Sequence, residues 1–475
     1  MESCKLYDCM AVIIRYLLNE NFEADMAYAV ASNHEKNMLE EAEELLEEGF
    51  SLTDFSILSD TYKSNLVMLP FLLQKLDEKA AKLLEEELWI ERLDFESVRC
   101  MDSLNSEDNV KATSIIILPR YTCIWEGKSR DEHHAIDINT FLYHSFYVEV
   151  NEDKVEGKYT LKNYILNPQD FGLCMDDETE LTIPVALSPL TDEVRLDDER
   201  YQEYEKGAFV NYFMIKELNG HMQAKLTEYI EKVVRRADEN GNKILVFPEM
   251  LGTVGMKNSL IESIRNVYLS NLHFIVFPSI WECKGRHRNH NTAYVIDYEG
   301  NEWFGQEKLR RFPWEKDNET FLEDIIEGEE IHIIHCEGYG SIAVAVCRSE
   351  LDRKVRDLLM QKLNIKLILC PSWTEGSHEF ECSIMTGLEH KCNVVWCNTC
   401  SALEIDKDTP RTAGIITTFG KNKNFSNMSL TDCKFPENNC LKKCEDGCFY
   451  SGRIYGTDYR ENQMVEVVAD GCENE

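Results

Sequence analysis

The order of apolar and polar positions gives the chain three successive textures. In the first 100 residues the apolar positions are spaced for helices. Met38 to Glu48 sets six glutamates around Leu39, Leu45 and Leu46, and Pro70 to Ile90 sets Leu72, Leu76, Leu83 and Leu84 among charges. This predicts exposed helices with narrow apolar faces, and Pro70 suits a first helical turn, where a missing N–H costs nothing. From Val110, Ser114-Ile115-Ile116-Ile117-Leu118 and Phe146-Tyr147-Val148-Glu149-Val150 predict short strands, followed by the acidic stretch Met175-Asp176-Asp177-Glu178. Past residue 180 strands and helices alternate. Ile183 to Leu187 is a first strand, and Met222, Leu226, Tyr229, Ile230, Val233 and Val234 share one face of a helix that stops at Asn240-Gly241. Strands are then predicted at Ile244 to Phe247, Phe274 to Phe277, Thr292 to Ile296, Ile342 to Val346, Leu367 to Leu369, Val394 to Trp396, Gly414 to Thr417 and Val465 to Val468, with a helix at Asp352 to Leu363. The organisation expected is an acidic helical region (1–105), a small β-containing connecting segment (106–180) and an α/β layered domain (181–475) whose sheet is covered by helices.

Charge and composition narrow the function classes. Of 475 residues, 86 are acidic and 50 basic, a net charge of −36, and 43% are hydrophobic. Sizeable cores are therefore possible and wholesale disorder is excluded. Autonomous binding to nucleic acid or an anionic membrane is not expected, because both need a basic face. The first 100 residues alone carry 22 acidic against 9 basic residues, which suits a protein partner docking through the N-terminal region. No run approaches the roughly 18 uncharged apolar residues of a membrane span, and Met1-Glu2-Ser3-Cys4 lacks the basic start of a signal peptide. The 18 cysteines scatter through strand-like runs, as expected of reduced thiols in a cytoplasmic protein.

Three segments hold candidate chemistry. Ile244-Leu245-Val246-Phe247-Pro248-Glu249 is an apolar strand ending in Pro-Glu. A carboxylate at the mouth of a buried strand loses hydration and becomes a usable base near neutral pH. Asn291 to Gly300 and Phe304 to Leu309 read as a β-hairpin turning near Glu299-Gly300, with Lys308 just past the return strand. Ile342 to Val346 ends in Cys347 and faces a helix start, where N–H groups and the helix dipole favour a thiolate; Leu367-Ile368-Leu369-Cys370-Pro371-Ser372-Trp373 follows.

In this order and local setting, strand–Pro-Glu, hairpin–Lys and strand–Cys–helix–strand–Pro-Ser-Trp resemble the nitrilase superfamily of carbon–nitrogen hydrolases over residues 180 to 470. The spacings of 59 residues from Glu249 to Lys308 and 39 from there to Cys347 are similar to that family, as is Met385-Thr386-Gly387-Leu388-Glu389-His390 before the strand ending in Cys397-Asn398. The resemblance implies an αββα sandwich preceded by the acidic N-terminal region. It implies an amidase-type hydrolase in which Cys347 is the nucleophile, Glu249 the general base and Lys308 the stabiliser of the tetrahedral intermediate. The backbone N–H of Arg348 would complete an oxyanion hole, and Arg348 and Trp373 would border the substrate. A second glutamate would orient the lysine, with Glu319 the choice and Glu315 the substitute, and Arg356 would pair with carboxylates near the cysteine. No metal or organic cofactor is implied. A small-molecule amide substrate and a homodimer or larger homo-oligomer are.

Some features depart from that pattern. Arg348-Ser349-Glu350 replaces the aromatic-then-acidic pair usual after the cysteine, which favours amides over nitriles and leaves open a catalytically silent binding or regulatory protein. Nitrilase-like domains also occur beside other modules in bacterial defence proteins, and the unassigned front end allows such a role. Cys433, Cys440, Cys444 and Cys448 fall in a Cys-rich insertion near 421–450; they lack the paired Cys-x2-Cys knuckles of a zinc site and read first as free thiols. His287 and His290 form a basic loop before the hairpin; the resemblance implies that this loop lies near the pocket and could touch substrate.

Overall fold

The computed structural model describes residues 10, 13, 37, 40–44, 69–76, 115–117, 147–149, 158–166, 182–191, 194, 201–205, 211–283, 289–316, 318–336, 340–389, 392–402, 411–418, 427–433, 448–455 and 468–470. The chain divides into two units, the first comprising Met1–Glu152, Tyr164–Asn167 and His335–Gly340, the second Asp153–Asn163, Pro168–Ile334 and Ser341–Glu475. In the first unit β1 (Ile115–Ile117) pairs antiparallel with β2 (Tyr147–Glu149), Ile116 opposite Val148. Residues 40–44 and 69–76 are helical; in 40–44 only Ala42 is buried, as expected of an exposed helix, but in 69–76 every residue except Lys75 is buried, so the exposed helix with a narrow apolar face expected from Pro70 is corrected there. Leu39, Leu45, Leu46, Leu83 and Leu84 lie outside the described residues. Among the described residues no helix is long and apolar enough to cross a membrane.

The second unit carries the candidate chemistry. The strands that lie in it, wholly or in part, are β3 (Thr160–Leu166), β4 (Thr182–Leu187), β5 (Tyr201–Glu205), β6 (Asn211–Ile215), β7 (Ile244–Val246), β8 (Phe274–Val276), β9 (Ile280–Cys283), β10 (Asn289–Asp297) and β11 (Glu302–Glu307). They continue with β12 (Pro313–Lys316), β13 (Glu319–Glu323), β14 (Glu330–Cys336), β15 (Gly340–Val344), β16 (Ile365–Pro371), β17 (Asn393–Cys397), β18 (Arg411–Thr418), β19 (Asn427–Cys433), β20 (Phe449–Tyr455) and β21 (Val468–Asp470); β3, β14 and β15 lie in it only in part. The helices are α1 (Gly220–Glu239), α2 (Val254–Asn266), α3 (Arg348–Leu351), α4 (Arg353–Asp357) and α5 (His378–Glu389).

Two sheets form the middle of the unit. One runs β11–β10–β8–β7–β4–β20–β21, with β9 pairing β10; the other runs β19–β18–β17–β16–β15–β14–β3. They meet through β7 against β16, β4 against β17 and β20 against β18. Every residue of β7 and β16 is buried, as expected of strands covered on both faces. On the first sheet α1 packs against α2 and β20, burying Leu226, Tyr229, Ile230, Val233 and Val234 with Leu245, Ile275 and Ile296. On the second, α5 covers β17 and touches α3. Helix, sheet, sheet, helix is the αββα order expected.

Local signals act as read. Asn219 caps α1 by accepting from the Met222 N–H at 2.9 Å, and the helix ends at Asn240-Gly241, with Gly241 at φ +74°. The hairpin β10–β11 turns at Gly300, whose φ of +76° and contact with the Ile261 carbonyl leave no room for a Cβ. The helix expected at Asp352 begins one residue later, Asp352 accepting from the Val355 N–H at 3.1 Å, and finishes in a π turn over Leu358–Lys362. A third sheet, β12–β13–β6–β5, was not anticipated. Its central pair is parallel, with Phe321 opposite Asn211, so it joins strands more than a hundred residues apart that no local pattern connects.

Candidate active site

Each candidate group leaves the end of a strand. The chain exits β7 through Phe247-Pro248, and Met250, at φ +62°, turns it sharply after Glu249. The Ser279 hydroxyl holds that turn by accepting from the Met250 N–H at 2.9 Å. Glu249 is 0% exposed. Its Oε1 accepts from Lys308 Nζ and Asn291 Nδ2, both at 2.8 Å, and its Oε2 from the Trp373 N–H at 3.1 Å. A buried carboxylate with donors on both oxygens offsets its desolvation.

Lys308 follows β11, and its N–H donates to the Asn291 carbonyl at 2.8 Å, continuing the hairpin pairing. Its ammonium is buried between Glu249 Oε1 and Glu323 Oε2, each at 2.8 Å. Burial opposes its charge, but the Glu249 and Glu323 carboxylates outweigh it and hold the lysine above its ordinary range. The second carboxylate is therefore Glu323, and the choice of Glu319, or of Glu315, is corrected. Glu319 is exposed and accepts from Asn211 Nδ2 at 2.8 Å; Glu315 is exposed on β12. Glu319, Phe321 and Glu323 alternate onto one face of β13, but Glu319 opens the strand at the Asn318 turn. Glu323 lies four residues deeper, where Lys308 and the Phe312 N–H (2.9 Å) reach it.

Asn291 joins the two carboxylates. Its Nδ2 donates to Glu249 Oε1 at 2.8 Å and Glu323 Oε1 at 3.2 Å, and its Oδ1 accepts from the Ser279 hydroxyl at 2.7 Å. Burial raises the Glu323 pKa, Lys308 pulls it back, and Glu249 adds to the rise. Sequence reasoning treated Asn291 as the start of a hairpin and overlooked Ser279. The available signal was an asparagine on the same hairpin as the lysine, 17 residues before it.

Cys347 ends the run from β15 with φ 45° and ψ −107°, a positive-φ backbone rare for a side-chain-bearing residue. Its N–H donates to the Pro371 carbonyl at 2.9 Å, and its Sγ meets the Trp373 carbonyl at 3.9 Å. The expectation of a helix-stabilised thiolate is corrected. Burial pushes the thiol far up, the Glu249 charge adds to this, and Lys308 only partly opposes it. At rest Cys347 is a neutral thiol beside a carboxylate.

The residues after the cysteine have separate jobs. Arg348 opens α3, where first-turn N–H groups have no intrahelical acceptor; its guanidinium is partly exposed, 3.9 Å from Glu379. Ser349 is buried and its hydroxyl accepts from the Leu309 N–H at 2.9 Å, tying the lysine segment to the cysteine turn. Glu350 is buried, with Oε1 accepting from the Ser383 hydroxyl at 2.8 Å. Burial lifts its pKa to about 7, against the Ser383 hydrogen bond and the Arg356 charge. Arg356 donates to the same Ser383 hydroxyl at 2.7 Å, so it reaches this carboxylate through a serine and not directly. Trp373 holds Glu249 with its N–H, and the next residue, Thr374, is clasped by Asn398, which accepts from its N–H at 3.0 Å and donates to its carbonyl at 2.8 Å.

Other candidates stand apart. His290 is on β10 with Nδ1 3.0 Å from Glu307 Oε1, and His287 lies outside the described residues. Cys440 and Cys444 also lie outside them; Cys448 is partly buried and in no disulfide, and only the backbone of Cys433, in β19, is described. Among the described residues no group of three His, Cys, Asp or Glu side chains is placed to hold a metal.

No protein-family model matches the sequence and no curated protein matches it. Several solved structures are similar. Nit3 from Saccharomyces cerevisiae, a member of branch 10 of the nitrilase superfamily, is 13% identical over 50% of this chain and 82% of its own, with a TM-score of 0.35. An amidase from Nesterenkonia sp. is 15% identical over 55% of this chain and 94% of its own, with a TM-score of 0.35. The glutamine-dependent NAD+ synthetase from Acinetobacter baumannii is 11% identical over 60% of this chain and 49% of its own, with a TM-score of 0.39.

Proposed function

We propose that this chain hydrolyses non-peptide carbon–nitrogen bonds of the amide type through a thioester on Cys347. The observation that carries the reading is the buried convergence of Glu249, Lys308 and Glu323, with Lys308 Nζ at 2.8 Å from both carboxylates, beside the Cys347 turn. Cys347 Sγ attacks the amide carbonyl carbon as Glu249 takes the thiol proton, which suits a thiol that is neutral at rest. The developing oxyanion is met by the Lys308 ammonium and the Arg348 N–H. The C–N bond breaks as Glu249 returns the proton to the departing nitrogen, releasing ammonia or an amine. Water, deprotonated by Glu249, then attacks the thioester, and the carboxylic acid leaves as the thiol is restored. Glu323 and Asn291 act as positioning residues that keep Lys308 and Glu249 in register.

Intact-mass labelling with an amide-directed electrophile tests this, comparing wild type with Cys347→Ala and Glu249→Gln. Single-site labelling at Cys347, slowed by Glu249→Gln, supports the reading. Labelling of Cys347 no faster than of other cysteines between pH 6 and 9, with no ammonia released from small amides, overturns it.

A further inference from the structure

Strand register gathers aromatic rings on the strand faces that carry Asn291 and Glu323. Trp281 lies directly opposite Asn291 in the β9–β10 pair, so its side chain shares that residue's face. Phe321 precedes Glu323 by two residues, Phe213 lies opposite Glu323 in the parallel β6–β13 pair, and Trp314 lies opposite Phe321. The rings form one group. Phe213 sits 6.4 Å from Trp281 and 6.1 Å from Trp314, the latter edge-on at 73°, and Trp314 is 6.4 Å from Phe321.

Trp373 and Met250 join the same cluster. These two are next to the chemistry in the chain as well as in space. Met250 follows Glu249, while the Trp373 N–H binds Glu249 and its carbonyl meets Cys347 Sγ. Phe213 and Phe321 are buried, whereas Trp281, Trp314 and Trp373 keep part of their surface exposed. Three partly exposed indoles thus pack against the cluster that contains Met250 and Phe321, next in sequence or alternation to the two carboxylates. Indole faces favour flat apolar groups in offset or edge-on geometry.

We infer that this wall makes the enzyme selective for amides bearing a flat, uncharged aromatic substituent next to the scissile bond. The inference rests on the hydrolase reading for the word enzyme, but the binding preference stands without turnover. A small aliphatic amide would leave the indoles in water, and an anionic substituent would meet Glu249 and Glu323.

The test uses the full chain. Binding of benzamide, propionamide and trimethylammonioacetamide to Cys347→Ala is measured by ligand-observed NMR titration, and ammonia release from each is followed with wild type. Benzamide is expected to bind at least about tenfold tighter than propionamide. Trp281→Ala should reduce that ratio by about fivefold or more, while Trp281→Phe, which keeps a ring, should retain most of it. Equal binding of the two, binding of none of the three, or a ratio unmoved by Trp281→Ala overturns the inference. Preference for trimethylammonioacetamide also overturns it, since the rings would then be a cage for cations. If benzamide binds with the expected preference but wild type releases no ammonia, the hydrolase reading falls and this one stands. If propionamide is hydrolysed and benzamide is not preferred, the reverse holds.

Discussion

Two buried carboxylates lie on either side of the cysteine turn, and they are held in opposite ways. Glu323, on the lysine side, has Lys308 and the Phe312 N–H on one oxygen and the Asn291 amide on the other. Glu350, on the helix side, has Ser383 on Oε1 and no hydrogen-bond partner on Oε2. Both are 0% exposed. Burial raises both, but the ammonium in contact with Glu323 pulls it back, while the Arg356 charge lowers Glu350 without touching it, the two meeting only at the Ser383 hydroxyl. What separates a carboxylate that can anchor a cation from one near neutrality at pH 7 is the direct contact. Depth does not.

Removing the cation is the severest way to break that contrast. Lys308→Met leaves Glu249 and Glu323 facing each other without compensation, and loss of one partner of a buried ion pair costs about 3–5 kcal/mol. A fall of that size in urea-melt stability, partly restored by adding Glu323→Gln, is expected. Cys347→Ala should instead preserve stability and reduce ammonia release by at least about 10⁴-fold.

A finer test separates Glu323 from its neighbour on the strand. Glu323→Gln should lower turnover about 10²–10³-fold, as loss of support for an oxyanion-stabilising group does. Glu319→Gln, at an exposed site, should stay within about 0.5 kcal/mol of wild-type stability and leave the kcat profile in place. The reverse pattern in parallel steady-state assays would reassign the second glutamate.

Smaller still is the tie between the two sides. Ser349→Ala strips the acceptor from the buried Leu309 N–H, a loss of about 1–3 kcal/mol. Because Leu309 follows Lys308, kcat should fall as well as the melting temperature. Ser349→Asp, which restores an acceptor, should recover more kcat than Ser349→Val.

A prediction of similar size concerns pH. Glu350 has a folded-state pKa of about 7 against an ordinary 4.5, so the folded chain keeps a proton that the unfolded chain gives up. Stability therefore falls as pH rises from 4.5 to 7 and levels off above. Glu350→Gln removes that loss. Relative to wild type, it should gain up to about 3 kcal/mol between pH 5 and pH 8 in denaturant titrations; a gain toward acid would reverse the sign and refute the assignment.

Much of this arrangement is legible from residues. Apolar runs ending in Pro-Glu, in Cys and in Pro-Ser-Trp mark buried strands with chemistry at their mouths, and the hairpin with its lysine follows from alternation and Glu299-Gly300. Glu323 was missed because alternation places Glu319 and Glu323 in the same phase; only depth under Phe312 and Lys308 tells them apart. The Cys347 thiol was misjudged because a helix start is visible in sequence while the extent of burial is not. The aromatic group on β6, β9, β12 and β13 was invisible, since parallel pairing between distant strands has no local signature.

By itself the sequence determined the strand–helix alternation, because periodicity and turn signals act over a few residues; the αββα order and the choice of Glu249, Lys308 and Cys347 as candidates came from the resemblance of the local motifs to the nitrilase superfamily. Tertiary structure decided which glutamate meets the lysine, that one asparagine bridges both carboxylates, that the cysteine rests as a thiol and that five rings stand beside them. Each of those depends on how far water is excluded and on which distant strand lies opposite, quantities that come into being only when the sheets close on one another.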